Sequence, residues 1–429
     1  MIRTRQYVLA LGDFTMLFLG LFVMILIRFD YTHDPSIVNE HFHVFFPLFI
    51  VWILVFYIFD LYDVRSTNPN PRTIGKIALA IITATIVSGF FFYIQRGVGI
   101  NPKTNLLITS ATAFILLVLW RRLFYTLFAS IFSRKIMLVG TSAELTQLQN
   151  HFKEQVPLGR IVLSLHTVSQ LYDMQHIPHV DLVITDSVSA NDIVMLEKKI
   201  DAQVLTLVDA YSELFAKIPL SLMTDEHALR IATKNRNYSY TFVTRIFEIV
   251  VSAIALIVFS PFIIIAGLAK KIEDGGDIFL KHHARVGKNG KPFYLKKIRS
   301  MISDADKAGN QWAQKSDTRI TRVGSIIRKL HIDEIPQLWN VIRGDMALVG
   351  PRPEQPEFVA TLEKEIPYYY LRHIIKPGFT GWAQIKFRYA RTVEDSKQKL
   401  EYDLYYLENR SPLLDLGIIA KTIQIIFTH

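Results

Sequence analysis

The stretch Arg328–Glu354, RKLHIDEIPQLWNVIRGDMALVGPRPE, decides how the rest of the chain is read. An adjacent acid pair, Asp333-Glu334, is followed by Pro336, and Ile335, Leu338, Trp339 and Ile342 come at helical spacing. The pattern predicts a helix with acids in its first turn, a proline where a missing N–H costs least, and Gly344 as its stop. A helix start with free N–H groups attracts anions. Arg328 and Lys329 before it, and Arg343 and Arg352 after it, bracket it with positive charge. Carboxylates, arginines and a helix N-terminus together suit a phosphate group that must be both held and attacked. An acid pair that merely caps a helix accounts for the same residues in isolation, so the surrounding chain has to decide.

The totals set the setting. A chain of 429 residues has room for two or three domains. Half of it is hydrophobic and its mean hydropathy is +0.25, high for a soluble protein and in keeping with a membrane protein that carries soluble parts. The net charge of +10 and the pI near 9.4 fit a protein that lies against anionic lipid or handles phosphorylated substrates. No nucleic-acid motif accompanies the charge, so nucleic acid is not expected as a partner. The absence of cysteine excludes disulfides and thiolate metal sites.

Four apolar runs, Tyr7–Ile27, Val44–Phe59, Ile77–Gln95 and Thr104–Trp120, each approach the roughly 20 residues that span a bilayer core. Residues 1–130 therefore read as a four-helix transmembrane domain, its first run long enough to remain as an anchor. Asp13 is the one charge within the runs: an acid inside the membrane is usually functional or paired, its place near a helix end suits a structural role at least as well, and the sequence names no partner for it. Arg3 and Arg5 precede the first run, Arg65, Arg72 and Lys76 lie in the second loop, and Arg121, Arg122, Arg134 and Lys135 follow the fourth run. The loop Phe29–His43 has no Lys or Arg, whereas the third loop carries Arg96 and Lys103. The positive-inside rule puts both ends of this part in the cytoplasm, so everything downstream starts on the cytoplasmic side of the membrane.

Residues 135–232 alternate strand-like and helix-like segments: Lys135–Gly140, Ser142–Glu154, Ile161–Leu165, Val180–Thr185 and Gln203–Leu207. This is the pattern of a small, Rossmann-like α/β domain. A dinucleotide fold wants G-x-G-x-x-G after its first strand, and this chain offers the single Gly140. Bound NAD is not expected, and the domain reads as regulatory or as an assembly element.

A fifth uncharged run, Ile249–Ala269, is interrupted by Ser260-Pro261. Proline removes a helical hydrogen bond and predicts a sharp bend. Lys234, Arg236 and Arg245 precede this run and Lys270, Lys271, Lys281 and Arg285 follow it. Both flanks prefer the same side, so the segment 245–270 is expected to enter one leaflet and return, with Ser260 helping to satisfy the broken backbone. From Phe279 to Ser303 come Lys281, Arg285, Lys288, Lys291, Lys296, Lys297 and Arg299 without an acid, around Gly287 and Gly290. These predict a basic hairpin that faces solvent, lipid headgroups or a diphosphate.

At this point the residues resemble a known family, the bacterial polyprenyl-phosphate sugar-1-phosphate transferases that start the assembly of cell-surface glycans. Eight pieces carry the resemblance, in order, through Phe242–Thr428. They are Ser260-Pro261, Lys297–Met301, Asp317–Gly324, Asp333–Asn340, Gly344–Met346, Val349–Pro353, Lys376–Gln384 and the tyrosine-rich Tyr402–Tyr406. Each is weak alone, and their order makes the set specific. The preceding architecture resembles the long form of the family. Two departures stand out: Ile298 occupies a position that more often holds an aromatic residue, and Phe387-Arg388 replaces a more usual Gly-Arg.

The resemblance implies a catalytic domain over 240–429, of mixed α/β build, that transfers a hexose-1-phosphate from a UDP-sugar to undecaprenyl phosphate and releases UMP. By match to the motif, Asp333 would be the nucleophile of a covalent phospho-sugar enzyme and Glu334 would help to hold Mg²⁺. The physics agrees: a carboxylate can attack phosphorus and leave again, Mg²⁺ needs few protein carboxylates beside substrate phosphates, and the rest of phosphoryl transfer is positioning and neutralisation. Arg328, Arg352, Arg299, Lys297 and Arg388 are expected at the phosphates, His331 is expected to be structural, and a homodimer is expected. Neighbouring helical positions point about 100° apart, which predicts different tasks for Asp333 and Glu334. Tyr368, Tyr369, Tyr370, Tyr405, Tyr406 and the apolar stretch Leu413–Phe427 suit an interfacial belt.

Two other classes compete. A membrane-anchored, NAD-dependent nucleotide-sugar epimerase or dehydratase wants a Tyr-x-x-x-Lys pair, and none of the 18 tyrosines has lysine four residues on. A non-enzymatic scaffold for glycan assembly would tolerate loss of the acid pair, which is intact.

Overall fold

The computed structural model describes residues 2–29, 36–62, 71–94, 102–131, 134–154, 159–171, 173, 174, 176–186, 189–235, 238–280, 283–302, 319–387 and 392–427. Its contacts group the chain into two compact units, residues 1–214 and 215–429.

The first unit opens with four long helices, α1 (Ile2–Arg28), α2 (Ser36–Ile58), α3 (Pro71–Ile94) and α4 (Pro102–Ile131). They share one apolar core in which Leu17, Leu21, Phe45, Phe49, Trp52, Phe56, Ala84 and Ala113 are fully buried. Their opposite faces remain apolar as well, with Leu19, Ile50, Leu54, Ile86, Ile115 and Leu119 exposed. A helix that is apolar all round belongs in hydrocarbon. Each is long and apolar enough to cross a membrane. The charge the sequence left without a partner finds one here: Arg121 of α4 lies 2.5 Å from Asp13 of α1, both buried. Arg121 also donates to the Leu61 carbonyl at 2.6 Å. A residue read as a flanking topological charge is thus one half of an internal ion pair.

The remainder of this unit is a small parallel sheet. Strands β1 (Arg134–Val139), β2 (Gly159–Leu165), β3 (Leu182–Thr185) and β4 (Gln203–Thr206) alternate with helices α5 (Ala143–Glu154), α6 (Ala190–Lys199) and α7 (Leu207–Phe215). The strand order is β2-β1-β3-β4, and Met137, Val139, Val183 and Leu196 form its core. The turn after β1 explains its lone glycine. Gly140 has φ +137°, and a Cβ there would fall 2.0 Å from Asp186 Oδ1. Asp186 Oδ2 accepts from the Thr141 and Ser142 amides at 2.9 and 3.0 Å. Amides of the kind that hold a pyrophosphate in a dinucleotide fold are bonded here to the chain's own carboxylate.

In the second unit, α8 (Asp225–Lys234) packs on α14 (Val393–Asn409), with Arg230 2.6 Å from Glu408. Lys217 reaches Glu401 at 2.9 Å and Trp382 Nε1 donates to the Ala216 carbonyl at 2.9 Å. Residues 215–232, read from the sequence with the middle domain, therefore contact the C-terminal half of the chain. Helix α9 (Tyr238–Asp274) then runs uninterrupted through Pro261. The predicted interruption does not end the helix, because Ser260 Oγ donates to the Ile257 carbonyl at 2.8 Å. That carbonyl is the one Pro261, lacking an N–H, leaves without its i→i−4 donor.

The predicted hairpin is short: β5 (Ala284–Val286) pairs antiparallel with β6 (Pro292–Tyr294). Its continuation to Arg299-Ser-Met survives only as single bridges, Phe279 to Ile298 and Met301 to Ile320. Helices α10 (Arg322–Lys329) and α11 (Leu338–Arg343), the parallel pair β7 (Ala347–Val349) and β8 (Gly378–Thr380), and helices α12 (Pro356–Glu365), α13 (Trp382–Lys386) and α15 (Pro412–Phe427) complete the unit. Gly324 permits the tight seat of α10, since a Cβ would meet the Ser300 carbonyl oxygen at 2.0 Å.

Candidate active site

Asp333 and Glu334 stand in a tight turn rather than in the first turn of a long helix. Helix α10 ends at Lys329, His331 takes a left-handed φ of +54°, and the chain passes the acids before a 3-10 turn, Ile335–Gln337, leads into the six-residue α11. Gly344 ends it with φ +99°, as predicted from sequence. The buried face is Leu338, Asn340 and Val341; of the residues expected at helical spacing, Leu338 is buried, Ile335 and Ile342 are half-buried and Trp339 is 54% exposed.

Because the acids occupy a turn, their carboxylates converge instead of diverging by a helical 100°. Lys297 Nζ lies 2.9 Å from Asp333 Oδ2 and 3.2 Å from Glu334 Oε1. Arg352 Nη2 lies 2.7 Å from the same Glu334 oxygen. Asp333 is buried, and its Oδ1 has no hydrogen-bond partner among the described residues. Burial by itself would raise the Glu334 carboxyl, but Arg352 and Lys297 outweigh it and hold Glu334 well below the usual carboxylate range. Glu334 in turn raises Arg352, which burial alone would lower.

Lys297 is held in place through its neighbours. The Lys296 amide donates to Asn340 Oδ1 at 2.9 Å, and the Ile298 amide donates to the Asp333 carbonyl at 3.1 Å. Asn340 closes the loop by donating to the Tyr294 carbonyl at 2.9 Å. Ile298 is fully buried against Ala266 and Ile327 beneath the acids, a space that an aliphatic side chain fills. Arg352 is fixed from behind: Arg372 donates to its carbonyl at 3.0 Å while gripping Asp403 at 2.9 Å, both side chains buried. Glu354 is paired with Lys399; burial would raise it, but Lys399 and Arg372 bring it down to about 2.

Of the residues singled out from sequence, the structure gathers Lys297, Asp333, Glu334 and Arg352. Arg299 points elsewhere, donating to Asp274 at 2.6 Å and to the Asp277 carbonyl at 2.8 Å at the end of α9. Arg328 is half-buried in the last turn of α10 with no ion-pair partner among the described residues. Arg388 lies outside the described residues. Ser260 and Pro261 sit within α9, far along the chain from the acids. The sequence reading gave no role to Asn340, to the Arg372–Asp403 pair or to His283, whose Nε2 lies 2.7 Å from Arg285 Nη2. Burial, then Arg285 and Lys297, push His283 down to about 3. Their signal is partly visible: Asn340 closes the Asp333–Asn340 motif, and Asp403 lies within the Tyr402–Tyr406 segment.

The donor set has a definite chemistry. No group of three or more His, Cys, Asp or Glu side chains gathers among the described residues, so a preformed protein cage is not what these residues offer. The adjacent carboxylates of Asp333 and Glu334, which already share one cation in Lys297, do fit Mg²⁺, which takes one or two protein carboxylates and fills its shell with water and substrate phosphates.

Comparison with known proteins follows the same segment. The family model described as bacterial sugar transferase matches residues 239–429. Over 189 residues the chain is 45% identical to a UDP-N-acetylgalactosamine-undecaprenyl-phosphate N-acetylgalactosaminephosphotransferase of Aeromonas hydrophila, covering 44% of each protein. It is 39% identical over 176 residues to a UDP-glucose:undecaprenyl-phosphate glucose-1-phosphate transferase of Xanthomonas campestris pv. campestris, covering 40% of this chain and 36% of that protein. A protein of the latter description from Caulobacter vibrioides is 38% identical over 186 residues, which are 43% of this chain and 69% of the relative. The match thus spans less than half the length of the first two relatives. The segment matched by the family model contains Lys297, Asp333, Glu334 and Arg352. With 69% of the Caulobacter relative covered at 38% identity, the chain belongs to the bacterial sugar transferase family.

Proposed function

We propose that this protein transfers a hexose-1-phosphate from a UDP-sugar to undecaprenyl phosphate, in two displacements at one phosphorus. Asp333 attacks the phosphorus that bears the sugar, the P–O bond to UMP breaks, and UMP departs with its electron pair. An oxygen of undecaprenyl phosphate then attacks the same phosphorus, releasing the Asp333 carboxylate and forming the lipid diphosphate sugar. The observation that carries this reading is the state of Asp333: one oxygen is pinned by Lys297, and Oδ1 is buried without a partner. A carboxylate oxygen stripped of donors is a better nucleophile than a solvated one.

Around it, Lys297 and Arg352 supply positive charge where the transferred phosphoryl group bears negative charge. Glu334, kept ionised by Arg352 and Lys297, is the residue that would hold Mg²⁺ together with Asp333. The ion would supply further neutralisation of the phosphates. Arg328 has no described ion-pair partner and serves as a further phosphate ligand.

We read α9 as a re-entrant element. Support comes from its two ends, which engage one folded unit. Near its start, Arg245 donates to the Val341 and Ile342 carbonyls at 2.7 and 2.8 Å, and Glu248 accepts from the Leu348 amide at 3.1 Å. Near its end, Lys270 donates to Thr321 Oγ1 at 2.9 Å and Ala266 packs on Ile298. Between them Ile254, Ile257, Val258, Phe262 and Ile265 are exposed. A helix crossing the bilayer would put its ends on opposite sides, whereas this one presents an apolar middle and two anchored ends. The catalytic unit then faces the cytoplasm at the inner membrane, where the lipid phosphate lies. As a homodimer, the protein would initiate exopolysaccharide, capsule or O-antigen assembly.

The test is nucleotide release by the purified protein with undecaprenyl phosphate, Mg²⁺ and a panel of UDP-sugars. UMP release that needs lipid and metal and disappears in Asp333→Asn is the expected result. UDP release would replace the reading with plain glycosyl transfer.

A further inference from the structure

Among the described residues, Lys297 is the cation that touches both members of the acid pair, at 2.9 Å from Asp333 and 3.2 Å from Glu334. We propose that its ammonium is a placeholder: it holds the cation position between the two carboxylates until a divalent cation takes it, and is then freed to pair with a substrate phosphate. This rests on the metal-assisted reading above.

The geometry of the two cations makes them rivals. An ammonium is a compact point charge on a flexible stem with three rotatable donors. Mg²⁺ sits about 2.0–2.1 Å from its carboxylate oxygens, inside the shell that Lys297 Nζ now occupies around this pair. Two positive charges that close in a half-buried site repel strongly. Arg352 is not the one to leave, since it touches Glu334 alone and its backbone is clamped by Arg372. Lys297 has a fixed backbone and a movable head. Its neighbours are tied to Asn340 and to the Asp333 carbonyl, while its side chain keeps 15% of its surface open against 3% for Asp333. The motion needed is a rotamer change of one side chain toward the open side.

Two consequences follow. Metal binds weakly to the protein alone, because it must expel a bonded ammonium. Metal binds more tightly when a nucleotide diphosphate offers that ammonium a new partner, so the two ligands are thermodynamically coupled and each raises the affinity of the other by the same factor.

The experiment is a Mn²⁺ titration of the full-length protein in detergent without substrate, following free Mn²⁺ by electron paramagnetic resonance. Wild type is compared with Lys297→Met, Lys297→Gln, Lys297→Arg and the double variant Lys297→Met/Glu334→Gln, with thermal melts to confirm that each is folded. Lys297→Met and Lys297→Gln should bind Mn²⁺ at least about tenfold tighter than wild type, equivalent to about 1.4 kcal/mol. Lys297→Arg, which keeps the charge, should bind as weakly as wild type, and the double variant should lose the gain. If the neutral variants bind no tighter while the double variant Lys297→Met/Glu334→Gln loses binding, the placeholder role is wrong and the metal reading stands. If binding is indifferent to Glu334 in every variant, the metal reading fails and this inference falls with it.

Discussion

Arg352 Nη2 lies 2.7 Å from Glu334 Oε1, so the arginine of the Val349–Pro353 motif holds the second acid of the Asp333-Glu334 pair directly. The two motifs are separated in the chain by α11 and β7, and the fold closes them into one charge network. Replacing Arg352 by Lys keeps a charge but loses the planar fork that reaches both a carboxylate and a phosphate. UMP release should fall about 100-fold, the scale of one lost transition-state donor. Thermal melting should move little, because the Arg352 side chain is 40% exposed.

Acid should weaken the catalytic unit in two stages. His283 is held neutral down to about pH 3, below its ordinary value, so an unfolded chain binds a proton near pH 6.5 that the folded chain refuses. Its contribution is complete above about pH 6.5 and declines as pH falls from there toward 3. Glu354 and Glu334 are depressed carboxylates, whose contribution is present above about pH 4.5 and lost as pH falls further, through about 2 for Glu354. Denaturant melts from pH 8 to 4 should therefore show stability dropping before the carboxylates titrate. His283→Gln should flatten the upper limb by about 1.4 kcal/mol per pH unit.

Removing one partner of the Asp13–Arg121 pair leaves an uncompensated buried charge. Asp13→Leu should destabilise the helical part by about 3–5 kcal/mol, while Asp13→Leu combined with Arg121→Leu should recover most of the loss. Thermal unfolding in detergent, followed by intrinsic fluorescence, reads both. Equal losses in single and double variants would contradict the pairing.

The absence of native cysteine makes α9 easy to probe. Cysteines replacing the exposed Phe242 and Ile272 should both react with a membrane-impermeant maleimide in inside-out vesicles and neither in intact spheroplasts. A cysteine replacing the exposed Ile257 at mid-helix should be protected in both preparations. Labelling of Phe242→Cys and Ile272→Cys from opposite sides would mean that α9 spans.

Where the two readings of the chain part, the reason is contact between distant segments. The five long helices were legible because hydrocarbon demands a run of about 20 apolar residues, a local requirement. The parallel strands were legible for the same reason, as short apolar runs between polar connections. The partner of Asp13 was not, since Arg121 is 108 residues away and looks like any flanking charge. Arg299, matched to the Lys297–Met301 motif, was expected at the phosphates, yet its guanidinium pairs with Asp274 at the end of α9, 2.6 Å away and 25 residues back in the chain.

The acid pair itself was visible from the residues alone, as were its motif, the basic residues around it and the glycine that stops α11. Local chemistry is enough for these: which side chains can carry a charge, attack phosphorus or adopt a left-handed backbone. Tertiary structure decided that the two carboxylates converge on a single ammonium, that Asp333 Oδ1 is left without a donor, and that Asp186 fills the turn beside Gly140. Each is a matter of distances between atoms brought together from separate segments, and sequence spacing carries no such distances.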